Sequence, residues 1–120
     1  MKSFKALYIV IALCFISPAI QAQQQDWVGS WEYRAPQADP PYQEGTIVFT
    51  SESDTVQAFI EINENRISAR QVEVSPDSAS FNVFIQGESI KVSLTKDAEK
   101  ASGEATFSGQ TIPVTAERVI

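Results

Sequence analysis

The segment DWVGSWEYR, residues 26–34, contains both tryptophans of this 120-residue chain and sets a pattern that the rest of it repeats. Trp31 and Tyr33 alternate with the charged residues Glu32 and Arg34. Successive side chains of a β-strand point to opposite faces, so this alternation predicts a strand with one aromatic face and one charged face. We therefore expect the segment to form the first strand of a sheet that is apolar on one side.

The same alternation recurs along the rest of the chain, and turn residues interrupt it at short intervals, as is typical of half-buried strands. The predicted strands cover residues 27–35, 46–51, 55–62, 66–74, 79–86, 89–95, 101–107 and 111–119. Each strand is followed directly by the next, which is the order of an up-and-down meander. Closure into a barrel removes the two exposed edges of such a sheet. The sequence thus predicts an all-β fold, an eight-stranded antiparallel up-and-down barrel.

The alternation also assigns the two faces of the sheet. The residues predicted to face inward are Trp31, Tyr33, Ile47, Phe49, Ala58, Ile60, Ile67, Ala69, Phe81, Val83, Ile85, Ile90, Val92, Leu94, Gly103, Ala105, Phe107, Ile112, Val114 and Ala116. The apolar pattern changes parity near Gln71, which predicts a β-bulge. Phe59 and Phe84 face outward, and together with Val48 and Val74 they are candidates for a docking patch.

The N-terminal residues have the features of a secretory signal peptide. Lys2 and Lys5 precede an uncharged apolar run at residues 6–17, and the small residues of SPAIQA suit cleavage after Ala22. The apolar run is too short for a comfortable membrane span. We therefore expect residues 1–22 to be a signal peptide and residues 23–120 to form one exported domain, periplasmic or extracellular, with no membrane span after cleavage.

Charge and cysteine content constrain the partners and the stability of this domain. Cleavage would remove Lys2 and Lys5 but no acidic residue, so the formal charge would change from −6 to −8. A surface of this sign repels nucleic acid and anionic membranes, so we expect neither as a partner. Cys14 lies in the apolar run and is the single cysteine of the sequence, so the exported domain would have no disulfide. We expect a monomer that is held together by its hydrophobic core.

Residue types also argue against catalysis. The sequence has no histidine and no cysteine after the predicted signal, which excludes Ser-His-Asp and Cys-His catalysis and the usual zinc and copper sites. The paired acids at Glu52 and Asp54 and at Asp97 and Glu99 fall in predicted turns, where acidic residues mostly solvate a hairpin. No segment has the spacing of a calcium loop. We therefore expect no enzymatic activity, no catalytic residue, no metal and no cofactor.

The start of the first strand resembles a known family signature. Gly29-Ser30-Trp31 resembles the Gly-x-Trp motif of the calycins, the superfamily of lipocalins, fatty-acid-binding proteins, avidins and some bacterial protease inhibitors. The strand layout, and the C-terminal stretch IPVTAERV, are similar to those of small exported bacterial lipocalin-like proteins. The resemblance implies that Trp31 plugs the closed end of the barrel and that Arg118, from the last strand, packs across it. The topology agrees, because the first and last strands of such a barrel close the sheet and their ends lie side by side.

The predicted interior leaves two functions open. An eight-stranded barrel is either just filled by side chains or holds one small ligand. Its mouth would lie opposite Trp31, under the loop PQADPPYQEG at residues 36–45. The candidate residues of a cavity or mouth are Tyr33, Tyr42, Phe49, Ala58, Phe81 and Ala105. We expect the barrel to bind a small apolar ligand or a partner in the cell envelope; the alternative is a protein-interaction or protease-inhibitor-like module with a filled core and no small ligand.

Overall fold

The computed structural model describes residues 26–119, so the predicted signal peptide at residues 1–22 lies outside the described range. The strands are β1 (Gly29–Arg34), β2 (Glu44–Glu52), β3 (Thr55–Ile62), β4 (Asn65–Ser68), β5 (Arg70–Val74), β6 (Ser78–Ile85), β7 (Glu88–Asp97), β8 (Lys100–Phe107) and β9 (Gln110–Arg118). A 3-10 turn, Pro40–Tyr42, lies between β1 and β2. Along residues 26–119, no helix is both long and apolar enough to cross a membrane.

All the described strands belong to one antiparallel sheet, in the order β4-β3-β2-β1-β9-β8-β7-β6-β5. Each strand pairs with the next along the chain except β4 with β5, and β1 also pairs with β9. This β1–β9 ladder joins the two ends of the meander, with Trp31 directly opposite Arg118. The predicted all-β, antiparallel up-and-down barrel is therefore confirmed.

The strand count differs from the prediction by one, because the predicted strand at residues 66–74 is divided at Ala69. Its first half, β4, pairs with β3, and its second half, β5, pairs with β6. The backbone N–H of Ala69 donates to the carbonyl oxygen of Ala58 at 2.9 Å. Gln71 has a φ of 54°, and the β5–β6 register shifts between Arg70 and Glu73. The bulge predicted near Gln71 is thus present, and it bends the strand sharply.

The bend determines how the barrel closes. β4 and β5 are the two edges of the sheet, and the continuous chain through Ala69 connects them where no ladder does. The strand therefore crosses diagonally from the β3 side of the wall to the β6 side. β4 and β5 each pair with another strand on one side only. Some of their backbone N–H and C=O groups therefore lie outside the described ladders and are available to other partners.

The core follows the predicted faces of the strands. Buried residues include Ile47, Ile60, Val83, Val92, Leu94, Ile112, Val114 and Ala116, all of which the alternation assigned inward. Trp27 is completely buried as well, although it precedes β1. Among the described residues, no polar or charged residue is buried. The interior is therefore an apolar space whose two ends differ in how well side chains fill it.

Candidate ligand-binding site at the open end of the barrel

The end of the barrel at the start of β1 is closed by two tryptophans. The Trp27 and Trp31 rings lie 5.3 Å apart between centroids. The indole N–H of Trp31 donates to the carbonyl oxygen of Trp27 at 3.0 Å, and that of Trp27 donates to the carbonyl oxygen of Ser75 at 2.9 Å. Both polar groups are satisfied, so each ring is buried without an unpaired donor.

Arg118 covers this pair of tryptophans from the last strand. Its guanidinium carbon lies 4.5 Å from the centroid of the Trp31 ring, which is within cation–π range. The guanidinium also donates to the carbonyl oxygens of Val28 at 2.9 Å and Asp26 at 2.5 Å, and pairs with Glu99 at 3.0 Å. One side chain thus joins the segment before β1, the β7–β8 turn and the end of β9.

Gly29 allows this arrangement. Its φ is 133°, a conformation that side chains disfavour, and a Cβ there would lie 2.9 Å from the Arg118 guanidinium nitrogen. The spacing of Gly29 and Trp31 in the Gly-Ser-Trp stretch therefore has a direct physical explanation. The glycine makes room for the arginine that covers the tryptophan two residues later.

Aromatic rings continue inward from this plug and fill the closed half. Trp27 contacts Phe49 at 5.6 Å and Phe49 contacts Phe81 at 6.0 Å between centroids, the second pair edge to face. Ala58 pairs with Phe49 across the β2–β3 ladder and is buried beside it. Phe49, Ala58 and Phe81 were predicted to line a cavity or its mouth, but they belong to the packed half of the core and do not line the cavity.

The opposite half contains a cavity of about 120 Å³. Its wall is almost entirely apolar and comes from the strand ends farthest from the plug: Tyr33, Ala35, Ile47, Ile60, Ile62, Val83, Ile85, Ile90, Val92, Ala105, Phe107, Ile112 and Val114, with Ala38, Asp39, Tyr42, Gln86 and Glu88 at the rim. Tyr33, Tyr42 and Ala105 are the candidate residues from the sequence that do line it. Ile62, Val83 and Ile112 line it too, although nothing in their sequence context separates them from ordinary core positions.

The loop after β1 is built against this mouth by hydrogen bonds. The Tyr33 hydroxyl donates to the carbonyl oxygen of Tyr42 at 3.1 Å. The Gln43 side chain donates to the carbonyl oxygen of Ala38 at 3.1 Å, and the Asn63 amide donates to that of Pro41 at 3.4 Å. The loop is therefore attached to both its own strand and the β3–β4 turn, so Ala38 and Tyr42 are held in position as part of the cavity wall.

Tyr33 supplies a hydroxyl group to the lining of the cavity. The residue is 8% exposed, and burial raises the pKa of its hydroxyl to about 12. A Cβ at Gly45 would lie 2.6 Å from the Tyr33 ring, so the glycine lets the ring lie flat against β2. The hydroxyl therefore remains a neutral hydrogen-bond donor across the physiological pH range.

Charge at the rim is of one sign. Within the described part of the chain, Asp39 and Glu88 are the charged residues of the lining, and neither Lys nor Arg contributes to it. Glu88 accepts a hydrogen bond from the Ser108 hydroxyl, which orients its carboxylate. Within residues 26–119, no group of three or more His, Cys, Asp or Glu side chains is close enough to hold a metal ion. The geometry suits an apolar body inside the barrel and a polar group at its mouth.

Comparisons with known proteins support the fold. No protein-family model matches the chain, and no curated protein matches it. Among solved structures, a redesigned β barrel superposes with a TM-score of 0.56 at 18% identity, covering 82% of this chain and 96% of that one. A mutant of the fluorescent protein UnaG superposes with a TM-score of 0.52 at 9% identity, covering 80% of this chain and 98% of that one. At these identities the likeness shows a β-barrel architecture.

Proposed function

We propose that this protein is an exported, calycin-like barrel that binds a small apolar molecule in the cavity at its open end. The observation that carries the proposal is the contrast between the two halves of the core. Aromatic rings fill the closed half, whereas about 120 Å³ is left open among mostly aliphatic side chains in the other. Protein interiors are close-packed and unfilled space costs stability, so a cavity beside a packed core indicates a site for a ligand.

The volume restricts the size of the ligand. Sites for drug-sized molecules have volumes of about 300–1,000 Å³, whereas an engineered apolar cavity of about 150 Å³ accepts benzene. The cavity of about 120 Å³ is close to the second case. We therefore infer that the part of the ligand inside the barrel is no larger than one ring or a short alkyl chain. An extended fatty-acid chain requires more space than this interior offers.

The rim restricts the charge of the ligand. Asp39 and Glu88 would repel a carboxylate at the mouth, and the chain as a whole is acidic, with a formal charge of −6. The Tyr33 hydroxyl already donates to the Tyr42 carbonyl oxygen, so it is not free to bind an anion. A neutral or cationic polar group at the exposed end of the ligand therefore fits the site better than an acidic one.

Isothermal titration calorimetry with three ligands that each contain one benzene ring tests the size and the charge inferred for the ligand. Benzylamine and benzyl alcohol should bind with dissociation constants on the order of 0.1–1 mM, as expected for so few atoms, and benzoate should bind more weakly. Ala105→Leu places extra atoms in the cavity and should abolish binding of all three. Thr106→Leu adds a similar side chain to the outer face of the same strand, and this control should bind like the parent. Absence of binding by every ligand would contradict the proposal.

A further inference from the structure

Three basic side chains of this acidic chain lie on one outer face of the barrel. Residues 26–119 contain seven of the nine Lys and Arg residues, since Lys2 and Lys5 lie in the predicted signal. Three of the seven point outward from neighbouring strands, together with two phenylalanines. We define the basic face by Phe59 on β3, Arg66 on β4, Arg70 on β5, Phe84 on β6 and Lys91 on β7.

Each arginine of the basic face lies on an aromatic ring. The guanidinium carbon of Arg66 is 4.2 Å from the Phe59 centroid, and that of Arg70 is 5.5 Å from the Phe84 centroid. Glu61 is the register partner of Arg66, yet the two form no ion pair in the described part of the chain. Phe84 remains 52% exposed. The face therefore holds its guanidinium groups over apolar surface and leaves them available to an external anion.

Arg70 and Lys91 lie on either side of the same residue. Asn82 is the register partner of both, so their backbones are separated by two strand spacings, about 10 Å. The other outward residues of β6 and β7 nearby, Ser80, Ser89 and Ser93, carry no charge. The adjoining strands contribute two outward carboxylates, Glu73 opposite Ser80 and Glu61 opposite Arg66. A carboxylate placed above Asn82 would thus lie between two cations.

The basic face also coincides with the interrupted part of the barrel wall. Arg66 and Arg70 are on β4 and β5, the two edge strands of the sheet. Edge strands present backbone N–H and C=O groups that an extended peptide can pair with, whereas a lipid surface or a polysaccharide has no equivalent complement. Arginine and aromatic residues are also enriched at protein interfaces. These features favour a polypeptide as the occupant.

We infer that the basic face binds an extended acidic peptide segment of a partner protein, with its carboxylates at Arg66, Arg70 and Lys91 and its apolar side chains against Phe59 and Phe84. The docking patch predicted from the sequence combined Phe59 and Phe84 with Val48 and Val74, so it differs from the basic face in its members. Val48 is the register partner of Phe59, but Val74 packs against the core. The binding site is separate from the cavity, so it does not depend on the ligand proposed there.

The test is an NMR titration of the protein with a synthetic hexapeptide of alternating glutamate and valine. At about 0.15 M salt the Debye length is about 8 Å, so distant acidic residues are largely screened and the local cations dominate. We expect saturable amide shifts on β4, β5 and β6. Arg70→Gln combined with Lys91→Gln should weaken binding by about fivefold, the loss of two exposed charge pairs.

The control combines Lys96→Gln with Lys100→Gln, which removes the same charge at the β7–β8 turn away from this face. It should leave the affinity within about twofold of the parent, since exposed charges more than a Debye length away are screened. An equal loss in the control would overturn the inference, because net charge alone would then explain binding. It would also be overturned if the glutamate–valine peptide caused no shifts, or if anionic phospholipid vesicles rather than the peptide bound through Arg70 and Lys91.

Discussion

At the scale of single residues, the closed end of the barrel is explained by Gly29, Trp31 and Arg118. Trp31 and Arg118 are far apart in sequence, but β1 and β9 pair antiparallel and place them directly opposite. The calycin resemblance implied this contact, and the strand order of a closed meander agrees with it. The carbonyl oxygens of Asp26 and Val28 could not be predicted as partners of the guanidinium, because backbone directions in a loop are not encoded by periodicity.

Arg118→Ala should destabilise the fold by about 2–4 kcal/mol, because charge-assisted hydrogen bonds to carbonyl oxygens and a contact with an indole ring are lost together. Tryptophan fluorescence should change as well, since Trp31 loses its cover. Urea unfolding followed by fluorescence measures both effects. Arg34→Ala is the matched control. Its only described ion pair, with Glu44 at 3.8 Å, is largely exposed and should contribute less than about 1 kcal/mol. Equal effects of the two substitutions would contradict the described role of Arg118.

Tyr33 gives the stability a specific pH dependence. Burial raises its pKa to about 12 in the folded protein, against an ordinary value of about 10. The unfolded chain therefore ionises first, and the contribution of the protonated hydroxyl is complete below about pH 10 and is lost as the pH rises toward 12.

The stability of Tyr33→Phe, plotted against pH, should accordingly cross that of the parent. Near pH 8 the variant should be less stable by about 1 kcal/mol, because the hydrogen bond to Tyr42 is missing. Between about pH 10 and 12 the parent should lose stability faster than the variant, which has no group to ionise at this position. Chemical denaturation across this range measures the difference. Parallel pH profiles for parent and variant would show that Tyr33 is not buried as described.

At the scale of elements, the strands were predictable but the division of one of them was not. The parity change near Gln71 indicated a bulge, and the structure has one. The division at Ala69 depends on a tertiary choice, since one half of the strand pairs with β3 and the other with β6. Propensity along a continuous run of strand-forming residues contains no information about which neighbour each half selects.

The turns between strands offer a separate test. Gly87 and Ala98 both have positive φ, 80° and 58° respectively. A Cβ at Gly87 would meet no atom within 4 Å, so the cost of substitution there is backbone strain alone. Gly87→Ala should therefore destabilise by about 1 kcal/mol, whereas Ala98→Gly should stabilise by about 0.5 kcal/mol, because glycine adopts positive φ without a steric penalty. Thermal unfolding of both variants measures whether each melting temperature falls or rises. Melting temperatures that shift in the same direction would be inconsistent with these turn conformations.

At the scale of the whole molecule, the barrel is divided into a packed half and a half with a cavity. Alternation identified which side chains face inward, so Tyr33 and Ala105 could be proposed for the cavity, and Tyr42 was proposed as the aromatic residue of the loop over its mouth. It could not separate them from Phe49, Ala58 and Phe81, because periodicity gives the face of a residue but not its depth along the barrel axis. Depth follows from register and from which end the tryptophans occupy, and both emerge only in the assembled sheet.

The same substitution should cost more stability in the packed half than in the half with the cavity. Ala58→Leu adds atoms next to Phe49 in the packed half and should destabilise by about 1–3 kcal/mol through overpacking. Ala105→Leu adds the same atoms beside the cavity and should change the stability by less than about 1 kcal/mol, in either direction, because space and apolar neighbours are available. Urea unfolding of the two variants compares them directly. A penalty of equal size at both positions would mean that the open half is as tightly packed as the closed one.

The measurement that tests the central claim most directly is a methyl NMR titration of the protein with benzyl alcohol. Saturable shifts should be confined to the methyl groups around the cavity, such as those of Val83, Ile112 and Val114, and should disappear in Ala105→Leu. The methyl groups of Leu94 and Val56, which do not line the cavity, should remain unchanged. Shifts spread over the outer face of the barrel, or no saturable shifts at all, would contradict the account of this protein as a barrel that binds a small apolar ligand inside.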